Sequence, residues 1–145
     1  MKRAVFNALF IGFVAPAGAA PDAPVVDVYK SPTCGCCSKW VDHLKANGFT
    51  VRGHDTENVV AHKIRLGVPA GYSSCHTAEV NGYVIEGHVP AKEITRLLKE
   101  KPRARGLVVP AMPVGSPGME AGGRKDPHDV FLVNRDGATR TYAQY

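Results

Sequence analysis

The chain has 145 residues, of which 44% are hydrophobic, and its formal net charge is +5. This length is enough for one domain with a modest core and too short for two. The positive charge is mild and has no basic run or interleaved aromatic residues, so we expect no nucleic-acid partner.

The N-terminus has the three parts of a secretory signal. A basic start is followed by a mostly apolar run over 4–15 and then by a small-residue cleavage site just before Pro21. We therefore predict a signal peptide over 1–20, a mature domain over 21–145 and a periplasmic location. The apolar run is too short to span a bilayer and no later stretch is long enough, so we expect no membrane span in the mature chain.

Strands and helices alternate in the first half of the mature chain. β-branched runs predict strands, and apolar residues at helical spacing predict helices that end at glycines. In chain order the predicted elements are a strand over Val25–Tyr29, a helix over Cys36–Asn47, a strand over Phe49–His54 and a helix through Val60 and Ile64 to Gly67. The second helix is expected to be capped by Asp55-Thr56.

The middle of the chain predicts a hairpin followed by a helix. Asn81-Gly82 suits the positive φ angles of a tight turn, and it joins two runs, Ser74–Val80 and Tyr83–His88, that both have strand character. Pro90 then opens an amphipathic helix that ends at Pro102.

The C-terminal third predicts a loop and a second hairpin. Residues 106–123 are rich in Pro and Gly, which favours an ordered loop, and residues 129–143 predict a hairpin around Asp136-Gly137. The whole order predicts an α/β fold of thioredoxin-like type. Its mixed sheet has the order βαβαββα, followed by the Pro/Gly-rich loop and the C-terminal β-hairpin.

The four cysteines are the strongest chemical signal. Cys34, Cys36 and Cys37 lie at the start of the first predicted helix, where unpaired amides and the helix dipole favour thiolate over thiol. Cys75 begins the first predicted hairpin, which passes beside that helix start in a thioredoxin-like sheet. We therefore expect four sulfurs to converge. In an exported protein such cysteines are normally disulfides or metal ligands.

Spacing and residue type favour copper. Adjacent Cys36 and Cys37 cannot easily point to one tetrahedral zinc ion, whereas bridging sulfurs of a multinuclear cluster suit the crowding. Soft thiolates select monovalent copper, and iron–sulfur spacings are absent. An ordinary thioredoxin-type oxidoreductase needs only two cysteines, so the third thiol favours metal binding.

Histidines and methionines add candidate ligands. His88 and His76 lie near strand ends of the hairpin that carries Cys75, and an ordinary hydrogen-bonded role is the stronger expectation for His76. Met112 and Met119 are candidate thioether ligands of copper from the Pro/Gly-rich loop, although methionine is more often core filler.

The remaining polar residues are expected to have ordinary structural roles. Glu86 is expected to be a solvated strand carboxylate, and Trp40 a core residue one turn beyond the cysteines. A solvated or capping role is expected for the histidines without cysteine neighbours, which are His43, His54, His62 and His128.

Four strings of residues carry a resemblance to a known family. They are SPTCGCC at 31–37, SCHTA at 74–78, GYVIEGHVPA at 82–91 and MPVGSPGME at 112–120. In these strings, and over essentially the whole mature chain, the sequence resembles the CopG-like periplasmic copper-binding proteins, long catalogued as a domain of unknown function. It departs from the family at Pro110-Ala111, where Pro-Gly is expected, which leaves one backbone angle of that loop open.

The resemblance implies both a fold and a function. It implies a thioredoxin-like fold in which Cys34, Cys36, Cys37 and Cys75 hold a polynuclear Cu(I)–thiolate cluster. It also implies a role in copper resistance, in which copper is sequestered, passed on or cycled between oxidation states. Copper ions and other periplasmic copper proteins are the partners that this role implies.

Alternatives of other classes remain open. One is a thiol–disulfide oxidoreductase in which Cys34 attacks a substrate disulfide and Cys37 resolves it. Another is a binding module with structural zinc, which would unfold on metal removal. A further alternative is two structural disulfides, although the crowded run of three cysteines offers poor disulfide geometry. The chain has no recognisable flavin or nicotinamide site, so an enzyme would receive electrons from elsewhere.

Overall fold

The computed structural model describes residues 23–145, so the signal peptide predicted over 1–20 lies outside the described residues. Within the described part of the chain the elements are β1 (Val25–Lys30), α1 (Gly35–Ala46), β2 (Thr50–Asp55), α2 (Val59–Leu66), β3 (Thr77–Val80), β4 (Tyr83–Glu86), α3 (Ala91–Glu100), β5 (Ala104–Val108), β6 (Asp129–Asn134) and β7 (Thr139–Gln144). The predicted α/β fold is confirmed.

The strands form one mixed sheet in the order β2-β1-β3-β4-β5-β6-β7. β1 is parallel to β2, β4 is parallel to β5, and the other neighbours are antiparallel. Buried apolar residues of α1 and α3 form one cluster with the sheet, including Trp40, Leu44, Ile94 and Leu97. Because β3 lies directly beside β1, the segment that enters β3 lies near the segment that leaves β1.

Both predicted hairpins are present. Asn81 and Gly82 have φ angles of 46° and 78°, as the tight turn between β3 and β4 requires. The second hairpin joins β6 to β7, and the Pro/Gly-rich loop precedes it. None of the helices within 23–145 is long and apolar enough to cross a membrane.

The structure adds one strand, β5, to the predicted order βαβαββα. The prediction began the Pro/Gly-rich loop at Gly106, but this glycine lies inside β5, where the register shifts between Ala104 and Gly106. A Cβ at Gly106 would lie 2.7 Å from the backbone nitrogen of Val84, so the close approach of β4 excludes any side chain there. A glycine that indicates a loop in the sequence is here required by the sheet.

Helix α2 begins at a different cap from the one predicted. Asn58 is the N-cap, and its Oδ1 accepts a hydrogen bond from the amide of Ala61 at 3.1 Å. Thr56 supports the turn before it, since its Oγ1 accepts a hydrogen bond from the amide of Asn58. The prediction of Asp55-Thr56 as the cap was therefore early by two residues.

A buried ion pair attaches α2 to the sheet. Lys63 is the buried residue of α2, and it pairs with Glu86 at the end of β4, a residue that is 0% exposed. The expectation that Glu86 is solvated was wrong. Its carboxylate is buried and accepts hydrogen bonds from protein groups instead of water. Burial raises the pKa of Glu86, and the nearby Lys63 ammonium opposes that rise.

β3 and β4 are shorter than predicted, and the same ion pair contacts the segment before β3 that was predicted to be strand. The amide of Ser74 donates to Glu86 Oε1 at 2.6 Å, and Lys63 Nζ donates to the carbonyl of His76 at 3.1 Å. Side-chain contacts therefore support the backbone on both sides of Cys75, and the amide of Gly87 also donates to the carbonyl of His76 at 3.3 Å. Cys75 lies on a braced loop just before β3 and does not begin the strand.

His43 links α1 to α3, which confirms the capping role expected for it. Pro90, the N-cap of α3, makes no side-chain capping bond, and His43 Nε2 instead accepts a hydrogen bond from the amide of Ala91 at 3.0 Å. Burial lowers the pKa of His43 below its usual value, which keeps the accepting nitrogen unprotonated.

We expect Lys63→Met to destabilise the protein by about 3 kcal/mol or more, because it leaves the buried Glu86 carboxylate without its partner. Urea unfolding followed by circular dichroism measures this. The double variant Lys63→Met/Glu86→Leu removes both charges and should recover most of the loss. A single variant as stable as the native chain would contradict a bracing role for the pair.

We expect part of the pH dependence of stability to come from His43. Because its pKa is lower in the folded chain than the usual value near 6.5, the unfolded chain takes up the proton first. This contribution is fully present above about pH 6.5 and is lost as the pH falls through the lower pKa of His43 in the folded chain. Unfolding free energies of the native chain and of His43→Gln measure it, and the variant should lose less stability over that range. Equal losses would show that His43 does not titrate in this way.

Candidate metal centre

Four cysteine sulfurs meet at the start of α1, as expected from the positions of these residues in the sequence. Cys34 is the N-cap of α1, and its Sγ lies 3.5 Å from that of Cys36. The Sγ atom of Cys75 lies 3.7 Å from Cys36 and 3.4 Å from Cys37. All four sulfurs lie within 4.8 Å of one another. The braced loop before β3 and the turn after β1 therefore bring together cysteines that are about forty residues apart in sequence.

Two of the four cysteines are joined to each other. Cys34 and Cys37 form a disulfide with their Cα atoms 5.3 Å apart, whereas Cys36 and Cys75 are free thiols. The alternative of two structural disulfides is wrong for this structure. The expectation of poor disulfide geometry is also wrong for one pair, because residues three apart lie on the same side of a helix start. Cys37 is fully buried, and Cys34 is partly exposed.

Two buried histidines lie against Cys75. His88 Nε2 is 3.2 Å from Cys75 Sγ, and His76 Nδ1 is 3.4 Å from the same sulfur. Both imidazoles are 0% exposed, and with Cys75 they form a second group of closely spaced ligand atoms. Burial lowers the pKa of His88 and raises the pKa of Cys75 to about 11. Neutral imidazole is the form that binds metals.

The orientation of His88 is fixed by the Pro/Gly-rich loop. His88 Nδ1 donates to the carbonyl of Pro117 at 2.8 Å, which leaves the lone pair of Nε2 directed at Cys75. Metal-binding histidines are commonly held in this way, with one nitrogen anchored and the other free to coordinate. His88 was a candidate ligand in the sequence, and the structure gives it suitable geometry.

His76 is closer to the sulfurs than its expected role suggested. Its ring packs on Trp40 with the centroids 4.4 Å apart, and its Nε2 has no hydrogen-bond partner among residues 23–145. Burial holds the pKa of His76 well below its usual value. The expectation of an ordinary hydrogen-bonded histidine is therefore not met at Nε2. Its position next to Cys75 is the sequence signal that could have identified it.

The Pro/Gly-rich loop packs directly on the start of α1. Gly118 has φ +87°, and a Cβ there would lie 2.8 Å from the carbonyl oxygen of Cys36 and 2.9 Å from the amide nitrogen of Trp40. Only glycine fits this close approach. Ala111 also adopts a left-handed backbone, at φ +59°, which answers the question left open by its departure from the family.

The two methionines of this loop occupy different environments. Met112 is 47% exposed and lines a surface cavity together with Pro113 and His128. Met119 is half-buried and directly follows Gly118, which packs on the cysteine-bearing turn. A role for either sulfur as a copper ligand stays a prediction.

Comparison with known proteins places this arrangement in a family. The family described as "Protein of unknown function, DUF411" matches residues 72–119. Two solved structures, forms 2 and 1 of a copper resistance protein CopG, are similar with TM-scores of 0.82 and 0.81. Each is 45% identical to this chain and covers 86% of it, and the matches span 99% and 98% of their own lengths. No match was found among curated proteins. The chain therefore belongs to the CopG-like, DUF411-containing family.

Proposed function

We propose that this protein handles copper by binding Cu(I) in a polynuclear thiolate cluster held by Cys34, Cys36, Cys37 and Cys75. The observation that carries this proposal is the convergence of four sulfurs within 4.8 Å of one another. Soft thiolates select monovalent copper, and sulfurs this crowded suit bridging between several ions. Similarity to copper resistance proteins supports the same role.

In this proposal the cysteines bind copper after the Cys34–Cys37 disulfide is reduced. His88 is the first additional ligand, because its Nε2 faces Cys75 and its other nitrogen is anchored. Met112 and Met119 are further candidates for thioether contacts. Burial of Cys37 and of both histidines beside Cys75 supports binding of a metal that is shielded from bulk water.

We further propose a periplasmic location for this activity. The signal-like segment over 1–20 would be removed, leaving a thioredoxin-like copper-binding domain over 21–145. Copper would be sequestered, cycled between oxidation states or exchanged with other periplasmic copper proteins. Partial exposure of Cys34, Cys36 and Cys75 supports exchange, because an incoming ligand can reach these sulfurs.

Anaerobic titration of the reduced protein with Cu(I) tests the cluster. We expect several copper ions per chain, seen as thiolate-to-copper absorption in the ultraviolet, and fewer ions in Cys75→Ser because one bridging sulfur is lost. Ser38→Ala is the matched control, because Ser38 lies in the same helix turn and its hydroxyl bonds the carbonyl of Cys34 rather than any of the four sulfurs. Weak binding of one ion, unchanged in Cys75→Ser, would refute the cluster.

A second candidate function is thiol–disulfide exchange, and the Cys34–Cys37 disulfide favours it. Cys34 is partly exposed at the helix N-cap and Cys37 is fully buried, as expected of an attacking and a resolving cysteine. This function needs neither Cys36 nor Cys75. It also needs no metal.

Reduction of a protein disulfide by the copper-free chain separates the two functions. If copper handling is the main role, the native chain and Cys36→Ser/Cys75→Ser should both be slow, at about the rate of a small dithiol. The double variant should also fail to bind a copper cluster. Fast, metal-independent turnover that survives in the double variant would instead favour the oxidoreductase.

A further inference from the structure

We propose that the end of the sheet remote from the cysteines is a docking surface for a partner protein, which it binds through an acidic segment of that partner. The surface consists of two adjoining cavities lined by the basic side chains of Arg65, Lys101, Arg105 and Arg135. We call it the basic groove. The inference does not depend on copper binding, because none of these residues belongs to the cysteine site.

The basic groove lies beside the turn between β3 and β4. Its two cavities, of about 350 and 380 Å³, share a wall that includes Arg135. Lys101 lines the first cavity, and Arg65 and Arg105 line the second. Among the described residues that line either cavity, none is acidic. An anionic group that enters the groove would therefore meet several positive charges and no competing carboxylate in its walls.

Three of the four charges lack an acidic partner. Within residues 23–145, no carboxylate oxygen lies within 4.0 Å of the charged nitrogens of Lys101, Arg105 or Arg135, whereas Arg65 pairs with Glu79 at 3.1 Å. In the free protein these three charges are balanced only by solvent ions. Carboxylates of a partner can replace those ions without breaking an ion pair of this chain.

Arg105 is held in a fixed orientation. Its side chain is partly buried, and its Nη2 donates to the carbonyl of Arg135 at 2.9 Å. Gly67 lies against it so closely that a Cβ there would displace the guanidinium group. The Nε atom of Arg105 is buried and has no hydrogen-bond partner among the described residues. A guanidinium that is already positioned loses little conformational entropy when it binds a carboxylate.

Helix ends account for only two of the four charges. Basic residues are favoured near the C-terminus of a helix, where Arg65 lies in the last turn of α2 and Lys101 is the C-cap of α3. Arg105 lies on β5, and Arg135 lies in the turn between β6 and β7, so the helix dipole gives no reason for either. Recognition of an anionic segment accounts for all four.

The apolar walls of the groove favour a polypeptide over a lipid headgroup or a free phosphate. Tyr83 and Leu98 line the first cavity, and Leu66 and Val84 line the second. A segment in which acidic and apolar side chains alternate can pair its carboxylates with the guanidinium groups and pack its apolar side chains on these walls. A phosphate group or a headgroup has no apolar side chain to place there.

A partner in the basic groove leaves the cysteines accessible. β4 runs from Tyr83, which lines the groove, to Glu86, which binds the amide of Ser74 next to Cys75. The groove and the cysteines therefore lie at opposite ends of the first hairpin. The partner and a ligand of the cysteines can be bound at the same time.

Fluorescence anisotropy with a labelled peptide of alternating glutamate and leucine tests the docking surface. We expect Lys101→Gln/Arg135→Gln to weaken binding at least about fivefold, because two unpaired charges are lost. Lys39→Gln/Lys125→Gln is the matched control, since it removes the same charge from exposed residues outside the groove and should bind like the native chain. Equal affinities of the two double variants would overturn the proposal.

Arg105→Lys separates a shaped site from a general attraction to positive charge. It keeps the charge and loses the planar fork, so we expect peptide binding to weaken at least about threefold. Circular dichroism checks that each variant is folded. Native affinity in this variant would overturn the role of Arg105 in positioning a carboxylate.

Two further probes identify the ligand chemistry. The same peptide with glutamine in place of glutamate should not bind, and equal binding would overturn recognition of carboxylates. Vesicles that contain phosphatidylglycerol should bind the native chain less tightly than the acidic peptide does. Binding to the vesicles without binding to the peptide would overturn a protein partner in favour of a membrane surface.

Discussion

The carboxylate of Glu86 is the constraint on which the site depends. A fully buried charge is strongly destabilising unless protein groups replace the lost water. Lys63 and the amide of Ser74 supply that replacement, and Lys63 also holds the carbonyl of His76. One buried pair therefore attaches a helix that has little apolar contact with the core and fixes the backbone around Cys75.

A second set of contacts comes from the Pro/Gly-rich loop, which follows the other residues of the site in the sequence. The Pro/Gly-rich loop directs the carbonyl of Pro117 at His88 and packs Gly118 against the first turn of α1. The cysteine-bearing turn, the braced loop and this loop come from three separate parts of the chain. Each holds the others in place, so the donors of the proposed copper site are already positioned close together without metal.

The family assignment and the geometry together separate two properties of the cysteines. Their convergence suits a copper-binding cluster, and two of them, Cys34 and Cys37, are joined as a disulfide. These properties are compatible because Cys75 and its histidines keep their positions through contacts elsewhere. A site with only two cysteines would lose its thiolate ligands when it formed a disulfide, and this one retains Cys36 and Cys75.

The sequence by itself determined the features that depend on residues close together in the chain. Helix spacing and the Asn81-Gly82 turn predicted α1 and the first hairpin, and the position of three cysteines at a helix start predicted a thiolate site. The tertiary structure alone decided that Glu86 is buried, that His76 faces Cys75, that Gly106 lies inside a strand and that Cys34 bonds to Cys37. The first three depend on partners distant in the chain, which periodicity and turn chemistry do not report. The disulfide partners are close in sequence, but choosing among four nearby sulfurs required their positions in space.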